Sequence, residues 1–165
     1  MHSLGANTTG ANNTALGHDA GDLITTGANN ICIGENSNDA GDTTGVVAIG
    51  SFALSANSSD QMTALGYFAL KLNSTGTRNT AVGYNALTAN TTGNESVAIG
   101  AYALSSNTTA GENTAVGYYS LYEKTAADNT AFGYAAAASI QQGIITLLLE
   151  KDLCWNVLLE AVIPT

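Results

Sequence analysis

One pattern of apolar and polar positions recurs along most of the chain. A lead residue is followed by Thr, Val or Ile, then a small residue, then an aliphatic one, then Gly, as in Asn13-Thr14-Ala15-Leu16-Gly17 and Asn79-Thr80-Ala81-Val82-Gly83. The glycines that close it are Gly17, Gly34, Gly50, Gly66, Gly83, Gly100, Gly117 and Gly133, at intervals of 17, 16, 16, 17, 17, 17 and 16 residues. A second apolar pair follows most of these glycines: Ala53-Leu54, Ala69-Leu70, Ala86-Leu87, Ala103-Leu104 and Ser120-Leu121. Between units lie stretches such as Thr88 to Gly93 and Ser105 to Gly111. Their Asn, Ser, Thr and Gly residues supply side-chain-to-backbone turns and positive φ.

A fixed short period is the signature of a repeat architecture, and this one is too short for the helical pair of the known helical solenoids. Each unit therefore predicts two short strands joined by turns. With one unit per coil, equivalent residues stack about 4.8 Å apart and each strand pairs in parallel with its copy one unit away. The expected fold is all-β: a parallel β-roll or β-solenoid of about eight coils of 16–17 residues, over residues 1–138.

Alternation places Thr80 and Val82 on one face of a strand and Asn79 and Ala81 on the other. Ala81 and Ala98 suit a place where opposite walls of a narrow coil approach closely. Val82 and Ile99, beside them, are expected to fill a wider space. Asn at the strand entrance suits turn amides and stacked side-chain amides. The recurrent Gly is expected at a corner with positive φ or a close backbone approach. A coil this narrow buries little apolar surface, so the scarcity of large side chains predicts that several coils associate through one aliphatic ladder.

Composition narrows the function classes. Charged residues make up 10% of the chain, and 4 Lys+Arg against 13 Asp+Glu give a net charge of −9. Nucleic acid and anionic membranes are poor partners for such a surface, because phosphate binding depends on cationic side chains. Cys32 and Cys154 form neither a disulfide framework nor a metal-type pair. Met1-His2-Ser3 opens no basic and apolar leader of the secretory type, which predicts no signal peptide. The apolar stretch Ile140 to Ile163 is interrupted by Glu150, Lys151, Asp152 and Glu160 and predicts no membrane insertion.

After Ala138 the repeat stops, leaving residues 139–165 as an apolar tail. Ile140, Ile144, Leu147, Leu148, Trp155, Leu158, Leu159 and Val162 form a helical stripe, which predicts a helix capping the open end. The genetic code offers another reading. Codons compatible with Ser139 to Glu150, taken in a shifted frame, spell Asn-Thr-Thr-Gly-Asn-Asn-Asn-Thr-Ala-Val-Gly, the next repeat in register. On that reading the tail is frameshifted repeat sequence.

Catalytic and metal chemistry find little to build on. His2 and His18 are the only histidines, and neither belongs to a triad-like arrangement. Asp19-Ala20-Gly21-Asp22 and Asp39-Ala40-Gly41-Asp42 suggest calcium ligands, but they stand at different offsets from their glycines and read as solvated turns. Sequons at Asn7, Asn57, Asn73, Asn90, Asn94 and Asn107 arise automatically from an Asn/Thr-rich repeat. No catalytic residue, metal site or cofactor is expected. Tyr67, Tyr84, Tyr118 and Tyr134 are candidate ligand-facing aromatics, with packing at an outer corner or between subunits as the plainer reading. A Thr series at Thr63, Thr80, Thr114 and Thr130 raises ice binding, interrupted by Ile31, Val47 and Val97.

Two families share these motifs. Asn94-Glu95-Ser96-Val97-Ala98-Ile99-Gly100-Ala101-Tyr102-Ala103-Leu104 resembles the head repeat of trimeric autotransporter adhesins, the YadA-like heads. Asn79-Thr80-Ala81-Val82-Gly83-Tyr84-Asn85-Ala86-Leu87 resembles the shaft repeats of bacteriophage tail fibres. The resemblance covers residues 13 to about 137, with a period longer than that of the adhesin heads. It implies a left-handed roll, a homotrimeric rod, display on a virion or bacterial cell surface, and attachment to a glycan or protein receptor. The alternative is a monomeric solenoid binding a repetitive ligand such as polysaccharide or ice.

Overall fold

The computed structural model describes residues 2–123 and 125–139 together with the strand Thr146–Leu148. The chain winds as a β-solenoid. Its strands are β1 (Thr14–Leu16), β2 (Ile31–Ile33), β3 (Val47–Ile49), β4 (Thr63–Leu65), β5 (Thr80–Val82), β6 (Val97–Ile99), β7 (Thr114–Val116), β8 (Thr130–Phe132) and β9 (Thr146–Leu148). All lie in one parallel sheet in sequence order. Each strand pairs with the next at one repeat's distance, as in Thr80↔Val97, Ala81↔Ala98 and Val82↔Ile99. No helix occurs among the described residues.

The second segment of each unit departs from expectation. It is a run of turns, so each coil holds one strand of three residues rather than two longer ones. In the third coil, Ala53 N donates to Gly50 O (3.1 Å), Ser55 N to Phe52 O (3.3 Å) and Asn57 N to Leu54 O (3.0 Å). Phe52 (φ 60°) and Leu54 (φ 55°) occupy the left-handed positions that such turns require. The turns still run in register with the next coil: Leu70 N donates to Ala86 O (3.0 Å) and Leu87 N to Ala103 O (2.9 Å).

The repeat glycines hold φ between 119° and 141°. Conformation is half the reason that Gly is needed here. A Cβ on Gly83 would stand 2.6 Å from the carbonyl carbon of Gly100 and 2.7 Å from its oxygen, so the corners of successive coils leave no room for a side chain.

The core is narrow and stratified. Ala48, Ala64, Ala81, Ala98, Ala115 and Ala131 point inward from the strands, and Leu54, Leu70, Leu87, Leu104 and Leu121 point inward from the turns. The aliphatic residue before each glycine turns outward, which corrects the expectation that Val82 and Ile99 fill interior space. Val82 is half-buried and Ile99 exposed, because the width between walls admits Ala from one side once Leu enters from the other.

Beyond Ser139 the tail lies outside the described residues except for β9, which pairs in parallel with β8 through Thr130↔Thr146 and an irregular step to Ala131↔Leu148. Those three residues are strand, not the helix read from the apolar stripe. Thr146 follows Thr130 by 16 positions, the repeat's own period.

Candidate functional site: an uncharged outer face and an aromatic column

Two exposed features run along the solenoid, one over β1 to β8 and the other from Phe52 to Tyr134. One is the outer face of the sheet, formed by the first and third residue of each strand. Thr14, Ile31, Val47, Thr63, Thr80, Val97, Thr114 and Thr130 make one column, and Leu16, Ile33, Ile49, Leu65, Val82, Ile99, Val116 and Phe132 the other. No charged residue stands in either column, although the chain carries −9. Large apolar side chains are open to water on it: Leu16 is 67% exposed, Leu65 44%, Ile99 40% and Phe132 37%. At about 4.8 Å per coil, the eight strands β1 to β8 make a face roughly 35 Å long.

The other feature is aromatic and lies just past the glycine corner. Tyr67 and Tyr84 stack at 5.7 Å with planes 8° apart, and Tyr118 and Tyr134 at 5.4 Å with planes 12° apart. Ala101 interrupts the column, and Tyr102 bridges the gap, 5.3 Å from Tyr84 and 6.2 Å from Tyr118. Phe52 and Phe68 extend the run, with the Lys71 ammonium 4.1 Å from the Phe68 ring centroid. All four tyrosines named from the sequence thus sit together on the surface, packed edge or face against one another. Burial raises the pKa of Tyr102 and Tyr119 above the usual phenol value, with neighbouring tyrosines adding to it.

The interior polar groups are structural. Asn73 Nδ2 donates to Asn57 Oδ1 (3.0 Å), Asn90 Nδ2 to Asn73 Oδ1 (2.7 Å) and Asn107 Nδ2 to Asn90 Oδ1 (3.4 Å). Each also donates to its own turn, Asn90 to Gly93 O at 3.0 Å for example. Asn57, Asn73, Asn90 and Asn107 are fully buried, so these sequons present no accessible acceptor. Sequence reading took them for turn formers. The signal for burial was their constant place seven residues after the glycine, aligned with the core positions. The expected ladder at the strand entrance is present too: Asn30 Nδ2 and Asn30 N donate to Asn13 Oδ1, both at 3.0 Å. Asn129 does the same to Asn113 Oδ1, at 2.9 and 3.0 Å.

The acidic groups are dispersed over turns. Asp42 Oδ1 accepts from Thr25 N (2.9 Å), Thr26 N (2.9 Å) and Gly27 N (2.7 Å), and Oδ2 accepts from Thr26 Oγ1 (2.6 Å). Donation from Thr26 and Gly27 holds this carboxyl well below the usual range. Burial, with Asp22 and Asp19 nearby, raises Asp39. Asp128 raises Glu112 by repulsion and a shared hydrogen bond. Among the described residues no group of three or more His, Cys, Asp or Glu could hold a metal ion. His18 Nδ1 lies 3.0 Å from Asp19, and Arg78 pairs with Glu95. Cys32 is buried in the Ala column, and burial pushes its thiol up to about 11. Among the described residues no helix is long and apolar enough to cross a membrane.

Comparison with protein-family models, curated proteins and solved structures returns no match.

Proposed function

We propose that this chain is a non-enzymatic structural and attachment protein, a segment of a homotrimeric fibre that holds a receptor-binding surface away from its base. The observation that carries this reading is the uncharged outer face. A monomer seldom leaves a contiguous apolar surface of this length in water, and such patches mark interfaces. With a net charge of −9, copies repel one another everywhere except where charge is absent. Three solenoids brought together through these faces bury Leu16, Leu65, Ile99 and Phe132 while leaving the carboxylates solvated.

Rigidity follows from the same construction. Each coil is tied to its neighbours by the sheet, the turn register and the buried Asn columns, and a repeat array of this type gains stability from each interface between neighbours. The resemblance of the repeats to YadA-like heads and tail-fibre shafts supports a reading in which such a rod stands on a virion or bacterial surface. The exposed tyrosine column, Tyr67, Tyr84, Tyr118 and Tyr134, is then the surface offered to a glycan or protein receptor, since aromatic rings give large contact area and a polar hydroxyl.

Solution mass by multi-angle light scattering tests this. A trimer that becomes monomeric on Val82→Asp with Ile99→Asp supports the fibre. A monomer for the unaltered chain overturns it and favours the alternative, a single solenoid offering its flat Thr and aliphatic columns to a repetitive ligand such as polysaccharide or ice. Thr63, Thr80, Thr114 and Thr130 on that outer face are the observation behind the alternative, and thermal hysteresis or glycan binding by the monomer would establish it.

A further inference from the structure

Tyr84 and Tyr102 sit on successive coils and meet at three levels. Tyr102 N donates to Tyr84 O (2.9 Å), which ties the two backbones together. Their ring centroids lie 5.3 Å apart with planes at 67°, the edge-on contact that aromatic pairs favour. Their hydroxyls share a hydrogen bond, and the Asn85 side chain holds the Tyr102 hydroxyl as well. The contact arises because Ala101 stands where neighbouring coils carry Tyr, and Tyr102, at φ 61°, reaches into the space.

Phenols placed this way are arranged for oxidative coupling. The bond formed when two tyrosines couple joins ring carbons next to the hydroxyls, so the hydroxyls finish side by side. A hydrogen bond between them brings those same carbons together beforehand, and holding both rings on one frame makes the coupling unimolecular. Access favours the same pair. Tyr84 is exposed, whereas Cys32 and Met62, the softer targets for an oxidant among the described residues, are buried. The Cys32 thiol also stays protonated, and the thiolate is the reactive form.

We propose that Tyr84 and Tyr102 form an oxidative cross-linking site, joined as a dityrosine by a one-electron oxidant of the peroxidase and hydrogen peroxide class. Each phenol gives up one electron and its hydroxyl proton, leaving two phenoxyl radicals. Their unpaired electrons pair in a carbon–carbon bond between one Cε of each ring. The hydrogen on each bonded Cε then moves to the oxygen of its own ring, which restores both phenols. The two electrons and two protons released reduce one hydrogen peroxide to two waters. The product ties two successive coils covalently and restricts the unfolded chain as a disulfide of the same span does.

The intact chain, treated with a haem peroxidase and hydrogen peroxide and then cleaved after Arg78, Glu95, Glu112 and Glu123, tests the proposal by mass spectrometry. Those cuts place Tyr84 on residues 79–95, Tyr102 on 96–112, and Tyr118, Tyr119 and Tyr122 on 113–123. The expected main product joins 79–95 to 96–112, is lighter than their sum by two hydrogens, and comes from material that runs as a single chain under denaturing conditions. The melting temperature of the treated chain should rise by about 5–10 °C, as a cross-link of this span implies. Tyr84→Phe keeps the ring and the fold, and should abolish both the product and the rise. Absence of the joined product, its formation only between chains, joining of 79–95 chiefly to 113–123, or an equal rise in Tyr84→Phe overturns the proposal.

Discussion

The strand wall and the turn wall of a coil have the same period and the same parallel register, yet they sort their side chains in opposite ways. From β5 the small Ala81 points in and Thr80 and Val82 point out. Four residues past the glycine, Leu87 points in while Tyr84 lies exposed at the corner. The two walls are complementary: Leu from one side and Ala from the other fill a space too narrow for two large side chains. Stability therefore rests on the turn wall, and the strand wall carries the uncharged face through which we propose that chains associate. The largest test of this division removes the corner joining the two walls.

Gly83→Val places a branched side chain at φ 136° and within 2.7 Å of the Gly100 carbonyl. The expected cost is about 4 kcal/mol or more, seen as loss of the cooperative thermal transition by circular dichroism. Leu87→Ala, on the turn wall, should cost about 2–5 kcal/mol in denaturant unfolding, because the rigid neighbouring coils cannot collapse into the cavity. Asn90→Ala should cost about 2–3 kcal/mol, since it removes the donor to Asn73 Oδ1 and Gly93 O and leaves buried acceptors unpaired. Val82→Ala, on the strand wall, should cost under about 1 kcal/mol in the isolated coil, as befits a half-exposed side chain. Equal losses for Leu87→Ala and Val82→Ala would erase the distinction between the walls.

The smallest effect is electrostatic. The Asp42 carboxylate is stabilised by its amide donors, so its folded pKa lies below the unfolded value of about 3.9. Its contribution is complete above that value and is lost as pH falls through it toward the lower folded pKa. Melting temperature between neutral pH and about pH 3 should therefore fall more for the unaltered chain than for Asp42→Asn. Glu112 works in the opposite sense. Asp128 raises its pKa, so their repulsion weakens the fold at neutral pH and is relieved as Glu112 protonates. Glu112→Gln should raise the neutral-pH melting temperature slightly.

Much of this architecture was legible in the chain. The glycine intervals gave the coil length, the pairing Thr80↔Val97 and its equivalents follow from that interval, and the strand-entrance Asn ladder follows from the recurrence of Asn13, Asn30, Asn79, Asn113 and Asn129. The turn wall was misread because Ala-Leu pairs look like strand residues. A signal was available. The positions two and four residues after each glycine, which hold φ near +50° to +61°, contain Asp, Asn, Phe, Leu, Tyr, Ala and Gly but never Val, Ile or Thr. Branched side chains are excluded there because left-handed backbone crowds them.

The sequence by itself determined the period, the parallel register and the places where only Gly fits, because each depends on spacing along the chain or on the sterics of a single residue. Tertiary structure alone decided which strand face is inside. Alternation divides Thr80 and Val82 from Asn79 and Ala81 but treats the two faces alike. The choice depends on the distance to the opposite wall, and that distance is set by Leu87 and its copies entering the same space from the turns.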